Sequence, residues 1–239
     1  MDTPKTFLSA EWRHLVMINY AIDPEILKSR VPAGTELDTW NGTTYASLVG
    51  FNFLKTRVKG ISIPFHTNFE EINLRFYVRR NDDGIWKRGV VFVKEIVPKP
   101  AIALIARVLY NEKYEAMPTR HTIDEKDGLR ARYEWKFRNR WNSIEVTSRG
   151  DSESLEEGSE NQFIAEHFWG YSAQRNGSTK EYRVDHPSWR IWKASSYSVD
   201  VDVAGLYGDE FTRALEKDPI SAFIADGSGV TVSDGKLLN

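Results

Sequence analysis

The sequence contains no cysteine, and this absence removes several kinds of chemistry at once. Without thiols the chain cannot form disulfides, hold zinc or an iron–sulfur cluster through sulfur, or use a cysteine nucleophile. An excess of either charge is also missing, because 32 Lys and Arg residues oppose 34 Asp and Glu residues for a net charge of -2. This balance is not typical of a strongly basic nucleic-acid-binding protein or of an acidic tail.

Long apolar runs are missing as well. The longest mostly apolar stretch, 98–110, includes Lys99 and Arg107 and is too short to cross a bilayer. The first twenty residues lack the basic region, apolar run and cleavage site of a signal peptide. We therefore expect a cytoplasmic location, without membrane or nucleic-acid partners.

Apolar side chains are plentiful enough for a sizeable core. Of 239 residues, 41% are hydrophobic and 13% are aromatic. This length favours one domain over residues 1–239, and the acidic, serine-rich segment 150–158 is the best candidate for an internal linker.

Hairpin signals dominate the chain. Turns at Asn41-Gly42, at residues 81–84 and at Asn176-Gly177 each join two β-type runs, and Leu129–Arg138 alternates strictly before pairing with residues 141–149. Further strands are predicted at 12–22, 190–203 and 220–225, the last followed by a turn at 226–229. Helices are predicted to begin at Asp23-Pro24 and to cover 100–111, 159–169 and 204–215. Hairpins outnumber βαβ units, so we predict an α+β fold with a large, mainly antiparallel, barrel-like sheet and a few helices.

Most motifs that announce a reaction are absent. There is no phosphate-binding glycine loop and no nucleophile elbow, and the five histidines do not share a metal-ligand spacing. We therefore expect neither a metal nor another cofactor.

One predicted strand carries a polar face. Glu71, Asn73 and Arg75 alternate with apolar residues, so their side chains lie on the same side of the strand. On the outside of the sheet they would form an ordinary salt-bridged surface. Inside a barrel they would be desolvated and would have to pair or bind a ligand. The residues alone leave both interpretations open.

The predicted helix at 100–111 adds a second candidate. It is apolar over most of its circumference, so we expect it to be buried. Arg107 is the charged residue within it and would then need a carboxylate or a ligand, unless its head group reaches water. Lys113 follows the helix and is not distinguished by its residue type alone.

Several segments together resemble the YqjF-like proteins, an uncharacterised family known as domain of unknown function 2071. The resemblance spans nearly the whole chain, and that family is similar in fold to acetoacetate decarboxylase. The segments that carry it are Val31–Asp38 with Asn41-Gly42, Glu71–Val78, Tyr182–Trp189 and Asp218–Ser228.

The resemblance implies an acetoacetate-decarboxylase-like fold and suggests where chemistry would occur. The decarboxylase forms a Schiff base between a lysine and a β-keto acid, and an adjacent lysine and an apolar pocket lower the lysine pKa. With a one-residue gap, Lys113 falls at the nucleophile position. Tyr114 stands where the second lysine would be, and Glu112 replaces a proline. Glu71 matches an active-site glutamate.

Two function hypotheses follow. In the first, the barrel binds a small keto or carboxylic acid and performs lyase- or decarboxylase-like chemistry, with Lys113 and Glu71 as catalytic residues. In the second, the chain is a non-catalytic ligand-binding barrel or a structural subunit.

The residues that bind a ligand would be the same whether or not the barrel is catalytic. Arg75 and Arg107 would hold its carboxylate, with Asn73 and Tyr114 beside them. The expected partner is a small molecule, and self-association into a homo-oligomer is left open.

Overall fold

The computed structural model describes residues 5–238, and most of its regular structure is strand. The strands are β1 (Thr6–Ala21), β2 (Glu36–Leu37), β3 (Thr39–Trp40), β4 (Thr43–Val58), β5 (Phe69–Asp82), β6 (Ile85–Val97), β7 (Tyr114–Ala116), β8 (Thr119–Asp124), β9 (Leu129–Phe137), β10 (Arg140–Ser148), β11 (Glu153–Ser154), β12 (Trp169–Ala173), β13 (Thr179–Asp185), β14 (Arg190–Lys193), β15 (Ser196–Asp200), β16 (Ser221–Ser233) and β17 (Lys236–Leu238).

Helices are few and short. They are α1 (Pro24–Leu27), which continues into a 3-10 turn at Lys28–Arg30, α2 (Pro100–Tyr110), α3 (Glu160–Ala165), α4 (Val203–Tyr207) and α5 (Asp209–Leu215). None of these helices is long and apolar enough to span a membrane. The predicted α+β class, with a large barrel-like sheet, is confirmed.

Seven strands close into a barrel in the order β16, β1, β4, β5, β6, β12, β13. Neighbouring strands are antiparallel except β6 and β12, which are parallel. The closing pair, β13 and β16, places Val184 opposite Val232 and Asp185 opposite Thr231. A closed sheet turns one side of every strand towards a shared interior.

The barrel wall separates the two largest apolar cores. Val16, Leu74 and Tyr133 belong to the outer core, which includes residues of the barrel and of a four-stranded sheet made of β8, β9, β10 and β15. Met17 and Tyr77 belong to the inner core, together with residues of α3. Side chains that follow each other along a strand point to opposite sides, so β1, β4, β5, β6 and β16 contribute to both cores.

Local sequence signals explain much of this architecture. The turn at Asn41-Gly42 joins β3 to β4, with Trp40 opposite Thr43. Asp23 caps α1 by accepting a hydrogen bond from the Glu25 amide, as its position before a proline predicts. The alternating strand β9 buries its apolar side, while its arginines pair on the outer side with Glu134 and Glu145.

The prediction of a buried helix at 100–111 is wrong. Helix α2 has nearly the predicted bounds, but Leu104 and Val108 are 56% and 71% exposed. Ala103 and Tyr110 are buried, so the helix packs along one edge only. A prediction from apolar composition alone therefore overestimated how much of this helix is buried.

Three other elements are interrupted or shorter than predicted. The strand expected at 190–203 is β14 and β15, which pair with β16 and β10 in different sheets, so the chain passes from one sheet to the other between them. The helix expected at 204–215 is split at Gly208, whose φ of +107° is incompatible with a continuous helix. The helix that begins after Ser159 ends at Ala165, because Trp169 already belongs to β12.

The turn predicted at 226–229 is absent, because β16 continues through it. Strand β1 is long enough to remain its partner, with Trp12 opposite Ser228 and Arg13 opposite Gly227. Gly227 has a φ of +78°, and a Cβ there would lie 2.0 Å from the Trp12 carbonyl oxygen. The glycine therefore permits a close approach of two strands rather than a turn.

The single-domain assignment stays a prediction, as does the linker role of 150–158. Within that segment, β11 pairs with β14 at one end of the large sheet.

We expect Gly227→Ala to destabilise the protein by about 2 kcal/mol or more, because the new methyl group meets backbone at a positive φ. Gly229→Ala is the matched control, since a Cβ there meets nothing within 4 Å. Urea denaturation of both variants checks this. Equal free energies of unfolding for the two variants would contradict the strand geometry.

Candidate functional site

A cavity of about 160 Å³ lies among the inward-facing side chains of the barrel. Much of its wall is aromatic, with contributions from β1, β4, β5 and β6: Trp12, Phe51, Phe53, Phe69 and Phe92. Helix α2 adds Ile102, Ile105 and Tyr110. Such a wall excludes water and suits the hydrocarbon part of a small ligand.

Four of the predicted site residues line this cavity. Glu71, Asn73 and Arg75 face it from β5, and Tyr114 faces it from β7. The interior interpretation of the polar face on β5 therefore applies to these three residues. Their catalytic and binding roles stay predictions.

Glu71 is the centre of a buried hydrogen-bond network. Its Oε2 accepts a hydrogen bond from the Tyr114 hydroxyl at 2.7 Å, and its Oε1 accepts one from Asn73 Nδ2 at 3.0 Å. Burial raises the pKa of Glu71 to about 7, although these two hydrogen bonds partly offset that effect. The carboxyl group is therefore able to take up or release a proton near neutral pH.

Two further buried carboxyl groups were not predicted. Glu95 is 2% exposed on β6, where it pairs with Asn73 in the strand register. Glu112 is 7% exposed and accepts a hydrogen bond from the Tyr182 hydroxyl at 2.8 Å. Burial raises the pKa of Glu112 to about 8, and burial together with Glu112 and Glu71 raises the pKa of Glu95 well above its usual range. We call Glu71, Glu95 and Glu112 the carboxyl cluster.

Lys113 does not face the cavity. Its side chain is exposed, whereas Glu112 before it is buried and Tyr114 after it faces inward. Consecutive side chains of an extended segment point to opposite sides, so Glu112 and Tyr114 point inward and Lys113 between them points outward. The alignment that placed Lys113 at a nucleophile position overlooked this alternation.

Arg107 is also outside the cavity. It is exposed on α2 and shares a face with Leu104, which lies three residues before it and is also exposed. Its side chain is therefore open to water, and neither Arg107 nor Lys113 lines the cavity that Glu71 lines. Their predicted roles stay predictions.

Arg75 brings positive charge to the cavity. Its Nη2 donates a hydrogen bond to the Ile164 carbonyl oxygen at 3.1 Å, and its guanidinium lies over the Tyr77 ring at 5.6 Å. Its buried Nε has no hydrogen-bond partner. An unsatisfied guanidinium donor in an apolar surrounding favours binding of a ligand oxygen.

A buried pair of a histidine and an aspartate was not predicted from the sequence. His167 lines the cavity, and its Nε2 lies 3.2 Å from Asp38 Oδ2, which also accepts from Arg88 Nε at 2.6 Å. Burial lowers the pKa of His167 to about 4, against the opposing influence of Asp38. The ring is therefore neutral at pH 7. Residues far apart in sequence build this pair, and no local motif marks it.

Comparison with known proteins adds the family context. The sequence profile of DUF2071, described as "Uncharacterized conserved protein", matches residues 9–229. The chain is 25% identical to the uncharacterized protein YqjF of Bacillus subtilis over 215 residues, which cover 87% of this chain and 84% of YqjF.

Solved structures resemble the whole fold. Acetoacetate decarboxylase from Legionella pneumophila matches with a TM-score of 0.67 at 12% identity, over 100% of this chain and 90% of the enzyme. The enduracididine biosynthesis enzyme MppR, complexed with pyruvate, matches with a TM-score of 0.66 at 14% identity, over 100% of this chain and 92% of MppR. These similarities establish an acetoacetate-decarboxylase-like fold and confirm the predicted resemblance.

We expect Glu71→Gln to change how stability depends on pH. The folded-state pKa of Glu71 is about 7, above the ordinary value of 4.5, so the native protein holds a proton that the unfolded chain has lost. This contribution to stability is present below pH 4.5 and is lost as the pH rises through 7. From pH 5 to 8 the variant should therefore gain up to about 3 kcal/mol relative to the wild type.

Urea denaturation at pH 5, 6.5 and 8 measures this difference. Glu115→Gln provides the control, because Glu115 is 45% exposed and paired with Lys94. Parallel pH profiles for Glu71→Gln and wild type would contradict the raised pKa.

Proposed function

The chain belongs to the DUF2071 family of uncharacterized conserved proteins, and we propose that its barrel binds a small organic acid without forming a covalent bond. The acid is a keto or carboxylic acid whose charged group contacts Arg75. Its hydrocarbon part packs against the aromatic wall. The pyruvate complex of MppR, which shares the fold, supports a ligand of this size and type.

The observation that carries the proposal is an unpaired hydrogen-bond donor on the Arg75 side chain. One nitrogen of its guanidinium is bonded to a backbone carbonyl, whereas Nε is buried and unpartnered beside the cavity. A carboxylate or keto oxygen supplies the missing acceptor, and a carboxylate also supplies the opposite charge. In a water-poor site this interaction is stronger than it would be at the surface.

The arrangement does not favour Schiff-base chemistry. No lysine is among the described side chains that line the cavity, and Lys113 points away from it. A lysine nucleophile must reach the substrate carbonyl, so the family resemblance does not carry this role to Lys113.

Proton transfer on the bound acid is a second candidate function. Glu71 faces the same cavity as Arg75, and its pKa of about 7 suits a group that exchanges protons near neutral pH. The carboxyl of Glu71 would then act on the ligand, while Arg75 holds it. A barrel that only binds or serves as a structural subunit is the alternative.

We expect Arg75→Gln to weaken binding of small acids by at least about tenfold, because it removes a charged hydrogen-bonding partner. Titration calorimetry with pyruvate, acetoacetate, butanoate and pentanoate measures the affinities. Arg107→Gln is a matched control, since it removes the same charge from the outer face of α2 and should leave affinity unchanged. If no acid binds the wild type, or if Arg75→Gln binds as well, the proposal fails.

We expect borohydride treatment in the presence of acetoacetate or pyruvate to leave the protein mass unchanged. Reduction would trap an imine at any lysine that forms one. Intact-mass spectrometry followed by peptide mapping identifies an adduct. An adduct that disappears in Lys113→Ala would contradict the non-covalent mode of binding.

A further inference from the structure

The cavity and its immediate surroundings hold more carboxyl groups than permanently charged basic groups. Glu71 and Glu95 line it, and Glu112 lies behind Tyr182, whereas Arg75 is the cation among the described lining side chains apart from histidine. Buried carboxyl groups require a cation, hydrogen-bond donors or a bound proton. Arg75 can neutralise one carboxylate, so the other carboxyl groups keep their protons in the ligand-free protein, and a cation bound in the cavity would displace such a proton.

Two acceptor atoms beside the cavity have no donor. Asn73 Oδ1 and Glu95 Oε2 are both buried and unpartnered, and each residue is 2% exposed. Asn73 and Glu95 are directly opposite each other on β5 and β6, and both line the cavity. Side chains in such positions begin about 5 Å apart, so one small group can contact both.

The protein does not supply the missing donors from its nearest hydroxyls. The Tyr114 hydroxyl lies close enough to Glu95 to oppose the rise in its pKa, but it has one proton and donates it to Glu71. The Tyr182 hydroxyl donates to Glu112. Nor do the described His, Asp and Glu side chains form a set of three or more suited to a metal ion. A donor that also carries positive charge would satisfy both acceptors and would allow Glu95 to release its proton and accept as a carboxylate. A protonated amine has these properties, with three N–H donors around one charge.

We propose that the acid bound at Arg75 also carries a protonated amino group, which contacts Asn73 Oδ1 and Glu95 Oε2. This inference rests on the proposed function and narrows its ligand class to amino acids. Asn73 and Arg75 are two residues apart on one strand, a distance of about 7 Å between their Cα atoms. The ligand therefore has its amino and carboxylate groups at opposite ends of a short carbon chain.

Paired ligands of equal chain length test this class directly. We compare 4-aminobutanoate with butanoate and 5-aminopentanoate with pentanoate by titration calorimetry on the wild-type protein. The amino acid of at least one pair should bind about tenfold more tightly. An ordinary apolar pocket would give the reverse order, because the added ammonium group must be desolvated.

The variant Glu95→Gln tests where the amino group binds. It should weaken amino-acid binding by about tenfold while changing the affinity of the plain acid by less than about twofold. Glu115→Gln removes a carboxyl group from the outer side of β7, where it pairs with Lys94, and should change neither affinity. The wild-type comparison decides the question by itself if Glu95→Gln does not fold.

The outcomes separate this inference from the proposed function. Tighter binding of plain acids than of amino acids overturns the inference and leaves the proposed function in place. An amino-acid preference that persists unchanged in Glu95→Gln also overturns it. Failure of every acid and amino acid to bind overturns the proposed function and the inference together.

Discussion

The closed sheet restricts the access of water to its inner face, and this constrains every polar side chain placed there. Glu71, Glu95 and Glu112 are at most 7% exposed, and ionising all of them would cost several kcal/mol per group. Two features reduce this cost. The carboxyl groups keep their protons to higher pH, and the hydroxyls of Tyr114 and Tyr182 donate to two of them.

The same exclusion of water gives Arg75 its importance. Its guanidinium lies among aromatic side chains with one buried donor unused, so a ligand oxygen there would have little competition from water. Glu71, which is able to exchange a proton, lies four residues before Arg75 on the same face of β5. The proposed recognition of an acid therefore depends on Arg75 and not on the lysine expected from the resemblance, which points outward. A shared fold fixes the cavity, but the side chains in it determine the chemistry.

Sequence reasoning was most successful where the signal is local. The Asn41-Gly42 hairpin and the alternation on β5 depend on neighbouring residues, and both are present as predicted. It failed where distant strands decide the outcome. The sequence around Gly227 is typical of a turn, and only the pairing with β1 shows that the strand continues. Lys113 aligns with a nucleophile, and only the structure shows that its side chain points outward. Glu95 could have been found from its position opposite Asn73, but that requires the β5–β6 register.

The low access of water to the barrel interior should keep carboxyl groups there in their protonated form at neutral pH. Infrared spectroscopy measures this directly, because a protonated carboxyl group absorbs separately from a carboxylate. We expect protonated carboxyl absorption in the ligand-free protein at pH 7, weakened in Glu95→Gln and unchanged in Glu115→Gln. A spectrum at pH 7 that contains carboxylates alone would contradict the account.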